Sequence, residues 1–236
     1  NIHIIINDRE GVYGEVITDD NLAYTIGNGS VVNNDNLNID LIVNADENDI
    51  PGRYYITFSS ANTNYNVTST LGIFTILERP ISIITTQTFV YGDDIILDNT
   101  NFSLAEDSLS VLYGDEISVT FSTNINSNSD VGTYDDCITL TENDDYYNIT
   151  LTSSTIIINP RNVTIDMDDK TSTYGNSVVE LTYTLYSEGE IVNLSDLINF
   201  VEVYPTCAVT SSTGVGMYDI TATTSTSKNY NITINN

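Results

Sequence analysis

Apolar and polar residues alternate along this chain in short runs. In residues 37–43, Leu37, Ile39 and Leu41 fall on one side of an extended backbone and Asn38 and Asp40 on the other. Similar runs rich in Ile, Val, Thr and Tyr occupy 2–6, 14–18, 22–26, 53–59, 65–69 and 72–77, divided by clusters of Asn, Asp and Gly that favour turns. Helical spacing is almost absent. Only residues 193–200 suit a helical turn, with Ser195 as its cap. The pattern predicts an all-β fold, and six or seven short strands in about 80 residues favour a two-sheet sandwich over a barrel or an α+β fold.

Three signatures recur in a fixed order. Tyr-Gly occurs as Tyr13-Gly14, Tyr91-Gly92 and Tyr174-Gly175, at spacings of 78 and 83 residues. Gly-x-Tyr follows as Gly52 with Tyr54, Gly132 with Tyr134 and Gly216 with Tyr218. The sequences Asn-Tyr-Asn-Val-Thr, Tyr-Tyr-Asn-Ile-Thr and Asn-Tyr-Asn-Ile-Thr come last, carrying Tyr65, Tyr147 and Tyr230. A repeat of this kind marks a tandem array. Three copies are expected, at 1–79, 80–159 and 160–236, the third lacking the final strand that 72–77 and 154–158 supply to the others. No Gly/Ser tether separates the copies. Arg79-Pro80 and Pro160-Arg161 stand at the boundaries, where proline fixes φ and interrupts a ladder. The expected architecture is three immunoglobulin-like β-sandwich domains, end to end in an elongated rod. In each copy the Tyr-Gly glycine supplies a turn conformation and the tyrosine buries its ring at a domain junction or between sheets.

Tyr-Gly near the start, Val-Gly-x-Tyr in the middle, and Asn-Tyr-Asn-Ile-Thr followed by a β-branched strand and proline together resemble the MBG-type tandem β repeats of large microbial cell-surface adhesins. The resemblance covers all three copies, although the first has Pro51-Gly52-Arg53-Tyr54 where the pattern asks for Val-Gly-x-Tyr. It implies a non-catalytic, extracellular stalk or fibre segment at a cell surface. Its implied partners are neighbouring copies or flanking domains of the same protein, and host or cell-surface glycans or proteins.

Charge narrows the partners further. The chain has 33 acidic residues against six Lys and Arg, a formal net charge of −27. Six scattered cations cannot form the basic footprint that nucleic acid requires, and an anionic membrane surface repels such a chain. With 40% hydrophobic residues, including sixteen Tyr, the acidity belongs to the surface of a folded protein rather than to a disordered one. No stretch approaches the roughly 18 apolar residues of a membrane span. The missing initiator Met and signal peptide suggest a mature or excised piece of a longer protein. Cys137 and Cys207 are too few for a disulfide scaffold and are expected as free thiols, the other reading being one cross-link between domains.

Little points to catalysis. His3 is the sole histidine and is remote in sequence from both cysteines, and no pair of carboxylates is singled out by spacing. Intramolecular isopeptide bonds need a lysine in each domain, yet Lys170 and Lys228 both lie in the third copy. Calcium is the one cofactor candidate, and a weak one. Asp46, Glu47, Asn48 and Asp49 offer several oxygens from one short loop, similar to the calcium linker of cadherins, and Asp8-Arg9-Glu10 is similar to their acidic element. Neither recurs in the other copies. Seven Asn-x-Ser/Thr triplets are what chance gives in a chain with 29 Asn, but Asn66, Asn148 and Asn231 occupy equivalent positions and are the glycosylation candidates. Two other readings remain: a carbohydrate-binding module using exposed tyrosines, and a filament subunit whose third copy is completed by a strand from another molecule. The obvious donor is residues 1–7, although residues 2–7 align with 80–85 and so already have a place in the first copy.

Overall fold

The computed structural model describes residues 1–18, 21–112, 114–142 and 144–236. The protein is all-β. By its contacts it divides into two compact units, one made of 1–84, 102–120 and 140–152 and the other of 85–101, 121–139 and 153–236. The middle copy contributes to both. Among the described residues no helix is long and apolar enough to cross a membrane.

In the first unit the alternation of the first copy becomes two sheets. Strand β1 (Ile2–Ile6) buries Ile2, Ile4 and Ile6 and turns Ile5 outward. It lies between β3 (Tyr24–Asn28), antiparallel, and β6 (Val67–Thr70), parallel. The second sheet runs β2-β7-β5-β4, from β2 (Arg9–Val12), β7 (Gly72–Leu77), β5 (Gly52–Ser60) and β4 (Ile39–Val43). Its central β7 is parallel to β2 and antiparallel to β5, and buries Phe74 and Ile76. Every second residue on such a strand faces the same way, so one apolar face is withdrawn from water. The unit also holds β8 (Arg79–Val90) as far as residue 84, paired with the short β9 (Ser103–Leu104), and the first half of β13 (Tyr147–Asn159).

In the second unit the rest of β13 pairs antiparallel with β11 (Gly132–Asp135) and buries Ile156 and Ile158. The third copy contributes a four-stranded sheet in the order β16-β15-β14-β19, from β16 (Glu190–Val192), β15 (Tyr183–Ser187), β14 (Arg161–Met167) and β19 (Tyr230–Asn235). It also has a pair, β17 (Val203–Cys207) with β18 (Ile220–Thr224). The middle copy also has β10 (Val119–Thr123) and β12 (Ile138–Glu142), which pair with each other and are each divided between the two units.

Several expectations need correction. Residues 14–18 form no strand, because Gly14 takes φ +78°, Glu15 N–H returns to the Val12 carbonyl, and the chain turns out of β2. Around 193–200 only a 3-10 turn forms, Leu194–Asp196, and the Asp196 carboxylate accepts from the Asn193 N–H at 2.9 Å, so Ser195 is inside the turn and not its cap. At the first boundary the ladder breaks at Glu78 and Pro80 lies within β8, whereas Pro160 does separate β13 from β14. Ile2 faces Val67 as Val163 faces Ile232, while Arg79 N–H and Arg161 N–H take matching carbonyls, of Tyr146 and Asn229. Ile2 therefore matches Ile81, one residue from the alignment read in the sequence. Cys137 and Cys207 are free thiols, and Cys137 Sγ donates to the Tyr134 carbonyl at 3.1 Å.

Ile165 is fully buried and Ile191 largely exposed on the same sheet. Ile165→Ala should cost about 2–5 kcal/mol of unfolding free energy and Ile191→Ala under about 0.5 kcal/mol, measured by urea denaturation.

Candidate functional site

The residues that recur in the sequence meet where one copy passes into the next. In the first unit Tyr13 follows β2 in a turn, and its N–H donates to the Leu77 carbonyl at the end of β7, 2.9 Å away. Gly14 then turns with positive φ, a conformation that costs other L-residues about 1–2 kcal/mol. Tyr13 is 8% exposed. Its ring lies 5.1 Å from that of Tyr146 and 5.8 Å from that of Tyr147, edge to face with the latter. Arg79, the first residue of β8, fixes the backbone there: its Nε donates to the Ser110 carbonyl at 2.9 Å and its Nη1 to the Tyr13 carbonyl at 3.3 Å. The Tyr147 hydroxyl accepts from Leu112 N–H at 2.9 Å and donates to Asp115 at 2.5 Å.

The second unit repeats this arrangement. Tyr91 is 1% exposed, and its N–H donates to the Asn159 carbonyl at 2.9 Å. Gly92 has φ +89°. The Tyr91 ring meets Tyr230 edge to face at 5.4 Å, with Phe200 on Tyr230 at 4.9 Å. Arg161 opens β14 as Arg79 opens β8. Its Nε donates to the Tyr91 carbonyl at 2.7 Å, its Nη1 to Ser187 Oγ at 3.2 Å, and its Nη2 pairs with Asp93. A further lock lies alongside. Asp130 accepts from Asn229 Nδ2 and pairs with Lys228 Nζ, each at 2.8 Å, so its carboxyl is held below the usual range chiefly by the Lys228 hydrogen bond.

Each joint therefore combines a Tyr-Gly turn, the end of a final strand, an arginine and an aromatic ring from the following copy. In the third copy Gly175 keeps φ +86°, but Tyr174 is 65% exposed. The Gly-x-Tyr tyrosines serve a separate local purpose. Tyr54, Tyr134 and Tyr218 each donate to the carbonyl four residues back, those of Ile50, Asp130 and Gly214, at 2.8, 2.6 and 2.9 Å. The ring folds back over the glycine two residues before it, where an added Cβ would meet the ring at 3.6, 3.9 and 3.4 Å in the three copies, so neither positive φ nor a tight approach demands glycine there.

The other candidates have structural surroundings. His3 bonds to Thr68 and Thr70 hydroxyls, both at 3.0 Å, across the β1–β6 pair. Asp46, Glu47, Asn48 and Asp49 form the turn between β4 and β5. There the Asp49 carboxylate accepts from Asp46 N–H at 2.9 Å and Asp46 accepts from Asn48 N–H at 2.8 Å, so these oxygens cap their own turn. Asp8 accepts from Ile73 N–H, and Arg9 pairs with Glu15. Among the described residues no group of three or more His, Cys, Asp or Glu is placed to hold a metal. Asn66, Asn148 and Asn231 are exposed at matching points, although Asn66 Nδ2 donates to Asn1 Oδ1 at 3.3 Å and Asn231 Nδ2 to Asn162 Oδ1 at 3.2 Å. Both joint arginines stood in plain view at the boundaries, but only the structure shows that they do the joining.

Burial pushes the Tyr147 and Tyr230 hydroxyls up to about 12, with the Asp115 hydrogen bond adding to it for Tyr147 and the Tyr91 ring for Tyr230. The folded protein thus favours the neutral phenols. Their contribution to stability is complete below pH about 10, the unfolded value, and is lost as pH rises through about 12. Ultraviolet titration of the folded protein should show these two ionising well after most of the other tyrosines. A single wave near pH 10 for all sixteen would contradict this packing.

Among curated proteins none matches the chain. Residues 163–236, which are nearly the whole third copy and contain Tyr174-Gly175, match the family model described as MBG domain (YGX type), so that copy bears the resemblance carried by the repeated motifs.

Proposed function

We propose that this chain is a non-catalytic structural segment, a stalk or fibre, of an extracellular surface adhesin. The repeated joint carries this reading. Two boundaries 78–83 residues apart are closed by the same residue types, an arginine on the tyrosine carbonyl and a later tyrosine edge to face with its ring: Tyr13-Gly14 with Arg79 and Tyr147, and Tyr91-Gly92 with Arg161 and Tyr230. A joint that buries rings and satisfies backbone carbonyls resists bending, as nearest-neighbour contacts do in solenoid proteins. In this proposal 1–79, 80–159 and 160–236 are three immunoglobulin-like sandwich domains in line. The Gly-x-Tyr hydroxyl bonds support the sandwich, since such sandwiches fix a tyrosine to upstream backbone in the same manner.

The acidic surface suits such a segment, because a net charge of −27 keeps neighbouring molecules apart. Its main partners are then copies or flanking domains of its own protein, with surface glycans or proteins as further ones. Nucleic acid and membrane interior have no place in this reading. A sugar-binding role for Tyr54, Tyr134 and Tyr218 gains no support from hydroxyls already committed to backbone carbonyls. Nor does strand donation by residues 1–7, since β1 is seated in the first copy with three isoleucines buried.

Small-angle X-ray scattering is the direct test. A compact chain of this length has a radius of gyration of about 18 Å, and three domains in line must give a value well above it. A value near 18 Å, or specific hits on a glycan array, would count against the stalk.

A further inference from the structure

The tyrosines of the third signature, Tyr65, Tyr147 and Tyr230, are preceded by Asn64, Tyr146 and Asn229. Asn229 uses its side chain to hold the fold, giving Nδ2 to Asp130 at 2.8 Å while its Oδ1 accepts from Val131 N–H at 3.0 Å. At the same place Tyr146 instead puts a ring, 39% exposed, 5.1 Å from that of Tyr13 and tilted 52° to it. The middle copy thus departs from the other two by one side chain. The departure brings two phenols together.

One arginine holds both of them. Arg79 Nη1 donates to the Tyr13 carbonyl at 3.3 Å and Arg79 N–H to the Tyr146 carbonyl at 2.8 Å, and Tyr146 N–H in turn donates to Asp144 Oδ1 at 2.9 Å. Groups fixed in contact react far more readily with each other than with groups on separate molecules. Tyr13 is buried and Tyr146 reaches solvent, so an electron can leave the pair through Tyr146. The Asp115 carboxylate accepts from the Tyr147 hydroxyl at 2.5 Å, and after burial its charge is the next influence that raises the Tyr13 phenol. It is a base beside the buried hydroxyl.

We propose that Tyr13 and Tyr146 form an oxidative cross-link site, closed as dityrosine by hydrogen peroxide and a peroxidase acting as a one-electron oxidant of phenols. Each phenol gives up one electron, that of Tyr13 by way of Tyr146, and one proton, that of Tyr146 to water and that of Tyr13 to Asp115, which passes it to solvent. The two phenoxyl radicals join through the ring carbons beside their hydroxyls, Cε to Cε, and the hydrogens on those carbons move to the oxygens. Peroxide takes up the two electrons and two protons and leaves as two waters. The link closes 146 − 13 = 133 residues and restricts the unfolded chain as a disulfide of that span does. At the second boundary Asn229 stands in place of Tyr146, and Tyr91 and Tyr230 are 1% and 5% exposed and edge to face, so that boundary lacks the site. This inference stands apart from the stalk role and survives if that role fails.

The test treats the dilute 236-residue protein, with Cys137 and Cys207 replaced by serine to remove competing thiols, with hydrogen peroxide and a plant peroxidase. A monomeric product is expected, lighter by two hydrogen atoms and fluorescent as dityrosine, in which tandem mass spectrometry finds Tyr13 joined to Tyr146. Its thermal midpoint should rise by at least about 5 °C. Tyr146→Phe keeps the ring without the phenol and should lower the yield of that product at least about tenfold, as should Tyr146→Asn. Tyr55→Phe, at a tyrosine 60% exposed, should leave the yield unchanged, which reactivity governed by exposure alone would not. Absence of a monomeric dityrosine product, links confined to the exposed Tyr55, Tyr174 and Tyr204, or an undiminished yield with Tyr146→Phe would each overturn the proposal.

Discussion

A guanidinium group presents its donors in one plane, and in this protein two such groups, of Arg79 and Arg161, each aim a donor at the backbone carbonyl of a tyrosine 66 or 70 residues earlier. Such a carbonyl, beside a ring that is withdrawn from water, would be costly to leave unpaired. Arg79 and Arg161 each satisfy it while their own N–H groups donate to the Tyr146 and Asn229 carbonyls. One residue therefore ties a turn, through its side chain, to a later segment, through its backbone. The aromatic contacts of Tyr13 and Tyr91 follow from that placement, and so does the tolerance for a boundary of only one residue, Glu78 or Pro160.

The joint also depends on what comes before it. Tyr13 and Tyr91 point correctly because their N–H groups are fixed by the last residue of a final strand and their carbonyls are turned by a glycine of positive φ. The third copy separates these two conditions. Gly175 makes the turn with its N–H on the Ser211 carbonyl, yet Tyr174 remains in water. The glycine sets local direction, and the strand sets burial.

Much of this was legible in the sequence. The strands at 2–6, 53–59 and 72–77 formed where alternation placed them, because each buries one side of a pleated run. The Tyr-Gly glycines adopted the left-handed turn that their recurrence suggested. The role of the arginines was hidden, because the adjacent prolines offered a sufficient local reason for the boundary, and a side chain that bonds 66 or 70 residues away leaves no periodic trace. The failure at 14–18 has a similar cause: a β-rich composition could not announce that Gly14 had already turned the chain. The run at 46–49 resembled a cation loop in composition, but its oxygens are directed at its own amides, a matter of geometry that spacing does not reveal.

The central claim is that each arginine joint, within its own unit, holds a Tyr-Gly turn against the strand that the arginine opens. Pulsed electron paramagnetic resonance measures it directly in the first unit, with spin labels on the exposed Ser30 and Glu106 after Cys137 and Cys207 are replaced by serine. The account predicts one narrow distance distribution, broadened when Arg79→Met is introduced. A distribution already broad before that substitution, or one that it leaves unchanged, would contradict it.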